Sequence, residues 1–79
     1  MKAYDAVKRA AKSSGVPLTH IGPALGKTSP YVNNGIARGS TPKADTLADM
    51  LDVCGWSLVA TPKGTEPPES LKIDGREGE

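Results

Sequence analysis

Apolar positions near the start of the chain, Ala3, Tyr4, Val7, Ala10 and Ala11, recur three and four residues apart. That spacing predicts an amphipathic helix over residues 2–13, closed by Ser13-Ser14-Gly15, with Asp5 placed to pair with Arg9 one turn on. A second helix over residues 18–25 would bury Leu18, Ile21, Gly22 and Leu25 and stop at Gly26. Pro23 falls inside it, where the missing N–H and the ring's crowding of the preceding turn predict a kink. The third segment opens Lys27-Thr28-Ser29-Pro30. Thr28 or Ser29 can cap it, Pro30 suits the first helical turn, and the helix should run to Ala37 and stop at Gly39. A fourth helix follows Thr41-Pro42, has Asp45 in its first turn and carries Leu47, Met50, Leu51 and Cys54 on one stripe, with Gly55 as its end. Beyond it, residues 56–61 switch to a period of two, so that Trp56, Leu58 and Ala60 share one face of a short strand ended by Pro62. No second segment reads as β. The strand's backbone would therefore pair with the same strand of another copy, giving a homodimer.

These elements make an all-α domain over residues 1–63 with one C-terminal strand. Residues 64–79 are rich in Gly, Pro and acids, with only Leu71 and Ile73 as bulky apolar groups, and read as a disordered acidic tail. A chain of 79 residues holds one core. That core lacks Phe and has only Tyr4, Tyr31 and Trp56 as aromatics, so it rests on small aliphatic side chains, and burial between copies would supplement it. The uncharged runs are far shorter than the ~20 residues of a membrane span. The charged N-terminal stretch is unlike a secretory signal, which leads to the expectation of a cytoplasmic protein. A lone Cys54 and a lone His20 are too few for a disulfide or a structural zinc site, and no cofactor is expected.

Charge changes the picture once it is divided by position. Residues 1–43 hold seven Lys and Arg against Asp5 alone, a charge of +6. Residues 44–63 carry −2 and residues 64–79 carry −3, which leaves the modest total of +1. A basic body joined to an acidic end suggests an anionic partner such as nucleic acid. Enzyme chemistry finds no foothold: Cys54 lies on an apolar stripe, His20 has no oriented partner, and Asp45, Asp49 and Asp52 lie on the polar side of their helix. Gly22-Pro-Ala-Leu-Gly26-Lys27-Thr28 is not a phosphate-binding loop, because such a loop has four residues between its glycines and a strand before them.

At 100° per residue the third segment turns Val32, Gly35 and Ile36 inward and leaves Pro30, Asn34 and Ala37 outward, flanked by Asn33, Tyr31 and Arg38. Small and amide side chains beside cations suit a helix lying on base edges, since Asn bonds adenine in a bidentate pair and a small neighbour leaves room for a thymine methyl. Leu18 to Gly26, Thr28, Tyr31-Val32-Asn33-Asn34, Gly39, Pro42 and Leu47 together resemble the Cro/C1-type helix-turn-helix domain of phage repressors and small bacterial regulators. The segment after Gly55 is similar to members with a terminal dimerisation strand, including HipB-like antitoxins. The resemblance implies a lambda-repressor-like domain of four or five helices that binds palindromic operator DNA as a dimer. On this chain it implies base contacts from Ser29, Pro30, Asn33 and Asn34, and backbone contacts from Lys27, Thr28, Tyr31, Arg38 and Lys43. The chain departs from the family pattern in having Gly22 where Ala is common, Leu18 where Gln is common, and Gly35-Ile36 in place of an apolar residue and Glu. A repressor is the leading expectation. An antitoxin whose tail meets a basic toxin, or an adaptor that no longer binds DNA, are the alternatives.

Overall fold

In the computed structural model, which describes residues 1–74, each of the four apolar stripes becomes an α-helix. They are α1 (Ala3–Ser14), α2 (Leu18–Ala24), α3 (Tyr31–Ala37) and α4 (Ala44–Val53). All four end alike. A glycine at positive φ follows, its N–H bonds back into the last turn, and the next N–H reaches one turn further: Val16 to the Ala11 carbonyl, Lys27 to Gly22, Ser40 to Gly35 and Trp56 to Leu51. This Schellman closure satisfies carbonyls that the helix itself leaves free, and glycine takes the left-handed turn without steric cost. Pro23 lies inside α2 without an N–H to donate back to the preceding turn, and the helix ends one residue later, at Ala24.

The helices pack as α1 on α4, α2 on α3 and α2 on α4. Four alanines of α1 (Ala3, Ala6, Ala10 and Ala11) are buried and bring that helix close to its neighbours, while Ile21, Met50, Val7 and Val32 fill the centre completely. Burial of each of these larger side chains contributes roughly 1.5–3 kcal/mol. The hydroxyl of Ser14 donates to the carbonyl of Cys54, tying the end of α1 to the end of α4.

Three expectations are corrected. Asp5 pairs with Lys8 (3.8 Å), not Arg9, so the ion pair spans three residues. Neither Thr28 nor Ser29 caps α3, which begins later than the sequence suggests: the Thr28 carbonyl accepts the Tyr31 N–H (3.1 Å) and Pro30 stands at the N-cap. Residues 56–61 form no strand, and no strand occurs among the described residues. Trp56 N–H is drawn back to α4, and the backbone of residues 57–61 has no hydrogen-bond partner among the described residues. Residues 71–74 lie against the body of the domain. Leu71 and Ile73 are half-buried and Ile73 packs on the core. The Met1 ammonium donates to the Lys72 carbonyl (3.0 Å) and to Asp74 Oδ2 (2.7 Å), while the Asp74 N–H donates to the Met1 carbonyl (2.9 Å). Bonding of one residue to both neighbours of the residue opposite is the pattern of a parallel β pair. Residues 75–79 lie outside the described residues. No helix among the described residues is long and apolar enough to cross a membrane.

Candidate nucleic-acid interface

The seat of α3 is set by two glycines. Gly22 in α2 is buried against the connection between α2 and α3, and a methyl group there would collide with the Thr28 carbonyl oxygen and meet Tyr31 Cβ at 3.0 Å. Gly35 in α3 faces the hydroxyl end of Tyr4 from α1, so a side chain there would have to displace that ring. α3 is thus held by close backbone approach on one side and by an aromatic ring on the other. Val32 is fully buried, Gly35 is buried and Ile36 is half-buried, so the inward face is the one expected from the helical period.

The opposite face meets solvent. Asn33, Asn34, Ala37 and Arg38 are exposed on α3 or at its end, and Lys27, Thr28, Ser29 and Pro30 are exposed in the six-residue connection before it. This connection is longer than the three- or four-residue turn typical of a helix-turn-helix. Consequently Thr28, Ser29 and Pro30 lie ahead of the helix and only Asn33 and Asn34 of the four expected base contacts project from it. Tyr31 is half-buried, with the Lys27 ammonium 5.8 Å from its ring centroid. That cation–π contact positions the lysine beside the helix start.

Lys43 is exposed at the N-cap of α4. A cation at a helix N-terminus opposes the macrodipole, at a cost of about 0.3–1 kcal/mol, so its position does not serve the helix. Among the described residues, none of Lys27, Arg38 and Lys43 is engaged in an ion pair. Their charges remain available to an external anion. His20 is exposed on α2, and Cys54 is buried, where desolvation pushes its thiol above the ordinary range.

The residues expected to form a dimer strand lie elsewhere. Trp56 is half-buried on the core, Leu58 is 37% exposed, and Ala60 is exposed. No local pattern in the sequence joins Tyr4 to Gly35. The available signal was a glycine in the middle of a helical pattern, which marks close approach of a neighbour. No protein-family model, curated protein or solved structure matches the chain, so its own residues carry the functional reading.

Proposed function

We propose that this chain is a sequence-specific DNA-binding regulator, a repressor that binds a palindromic operator as a homodimer with α3 in the major groove. The observation that carries the reading is the outward face of α3: Asn33 and Asn34 are exposed on a helix whose other side is locked into the core, with Arg38 at its end and Lys27 at its approach. Amide side chains discriminate bases, and cations around them hold phosphates and set the register. In this reading Asn33 and Asn34 contact bases, Ser29 and Pro30 pack beside them, and Lys27, Thr28, Tyr31, Arg38 and Lys43 face the backbone. The dimer forms through residues 56–61, of which 57–61 have no backbone hydrogen bond among the described residues.

Fluorescence anisotropy tests the proposal, with a labelled duplex from the region upstream of the chain's own coding sequence and a scrambled duplex as comparison, at two salt concentrations. Strong preference for the native duplex with a steep salt penalty supports the regulator. Equal, weak and salt-insensitive binding to both duplexes overturns it in favour of a protein-interaction role.

A further inference from the structure

The start of α3 is held by α2, where Gly22 lets the Thr28 carbonyl and Tyr31 Cβ approach closely. Toward its other end the contact comes from α1, as a single side chain. The tip of the Tyr4 ring lies against Gly35, with Oη, Cζ and Cε2 the atoms nearest to where a Cβ would stand. The Tyr4 hydroxyl makes no hydrogen bond among the described residues, so the ring acts on α3 by its bulk.

Around the ring the packing is open. A space of about 180 Å³, bounded by Tyr4, Ile36, Gly39 and Ser40 among others, separates the start of α1 from the end of α3. Of the large α3 side chains Val32 alone is fully buried, and Ile36, beside this space, is half-buried. Gly35 is also the point to which the end of α3 is tied, because its carbonyl accepts both the N–H and the hydroxyl of Ser40, each at 3.1 Å. A shift at Gly35 therefore carries the following connection with it. Asn34 precedes Gly35 by one residue, about 1.5 Å along the helix axis. Recognition by short side chains needs them held to within roughly 0.5 Å by the groups that support them. A ring that fixes how far α3 stands from α1 thus fixes where Asn33 and Asn34 are presented.

We propose that Tyr4 is a positioning residue for the outward face of α3: its ring is a spacer that keeps the later half of α3 from settling toward α1, and it sets sequence discrimination without touching the nucleic acid. The inference rests on the DNA-binding reading above. Lys27, Thr28 and Lys43 lie outside α3 and do not depend on the spacer, and a long flexible cation follows a phosphate through a small shift. An Asn amide that must make two bonds to one base does not.

The test compares the parent chain with Tyr4→Leu, which removes the ring, and Tyr4→Phe, which keeps it. Residual dipolar couplings of the α3 amides read the tilt of that helix against α1 and α4 in the absence of DNA. Fluorescence anisotropy reads binding to the upstream and scrambled duplexes. Tyr4→Leu should change the α3 couplings while α1 and α4 keep their common frame. It should lower the preference for the upstream duplex by about tenfold, with binding to the scrambled duplex and its salt slope unchanged. Tyr4→Phe should match the parent in both measurements. If Tyr4→Leu fails to fold, Tyr4→Met, which keeps apolar burial without a ring, decides. Unchanged couplings overturn the spacer. Changed couplings with an unchanged preference, or an equal loss on both duplexes, overturn the role in discrimination and leave the regulator standing. Absence of any preference in the parent overturns the regulator, and the couplings then decide the spacer by themselves.

Discussion

Gly22 illustrates how a missing methyl group can set the geometry between two helices. Alanine would be the better helix former by up to ~1 kcal/mol. Its Cβ would nevertheless strike a backbone carbonyl, that of Thr28, which cannot swing aside as a side-chain tip can. Overpacking of this kind costs about 1–3 kcal/mol, so Gly22→Ala should be net destabilising, read as a lower urea midpoint with an unchanged slope. Gly35→Ala meets the hydroxyl end of Tyr4 instead, and Tyr4 is only half-buried. The ring can yield by rotation, and Gly35→Ala should lose less stability than Gly22→Ala in the same titration. An equal or larger loss at Gly35 would show that the ring is as unyielding as backbone. At Cys54, burial on α4 and a thiol pushed upward both disfavour the reactive thiolate. An aromatic disulfide reagent at neutral pH should therefore modify the native protein at least about a hundredfold more slowly than the urea-unfolded chain, because reaction waits on opening of the core. Comparable rates would mean that Cys54 is reached without unfolding.

Among the elements, α3 carries the sharpest expectations. Seven residues are too few for a stable isolated helix, so its order comes from Val32 and Gly35 seated in the core. Substitutions on its outer face can therefore be read as changes in binding with little change in stability. Asn34→Ala should weaken operator binding by about 1–3 kcal/mol and relax the preference at one base pair. Lys27→Ala should weaken binding to every sequence alike and reduce the salt dependence. Anisotropy titrations with a set of single-base operator variants distinguish the two patterns; a uniform loss from Asn34→Ala would remove it from base recognition. The helices and the inward face of α3 were legible in the sequence because one feature, the apolar period, decides both, and the terminal glycines mark the ends. The start of α3 was not. Thr28 and Ser29 are good caps by local rules, but the Thr28 carbonyl sits against Gly22, a constraint from another helix that moves the start to Tyr31. The Tyr4–Gly35 contact was hidden for a similar reason, since it joins residues far apart in the chain. The alternation at 56–61 is visible in the sequence, yet a strand exists only with a partner, which no local pattern in one chain supplies.

At the scale of the whole molecule, charge separation links the proposed interface and the tail. Lys27, Arg38 and Lys43 give three exposed cations per copy, hence about six phosphate contacts for a dimer and a log–log salt slope of roughly −5. A slope near zero in anisotropy titrations from 50 to 200 mM salt would remove the phosphate contacts from the proposal. The acidic end responds to pH by a different contact. The Met1 ammonium hydrogen-bonded to Asp74 holds that carboxyl below its usual range, with a smaller favourable effect from Lys72. A carboxyl whose value is lowered in the docked state favours docking wherever it is ionised there. Its contribution is full above the ordinary carboxylate range and is lost as pH falls through the lowered value. Tail docking should accordingly persist at neutral pH and fail in the acid range, with Trp56 becoming more accessible to acrylamide. Other carboxylates protonate over the same interval, so the decisive comparison is Asp74→Asn. That variant lacks the charge at every pH, and its quenching should already be raised at neutral pH and change less on acidification than that of the parent. Identical profiles for the two would mean that Ile73 and the backbone bonds hold the tail without the ion pair.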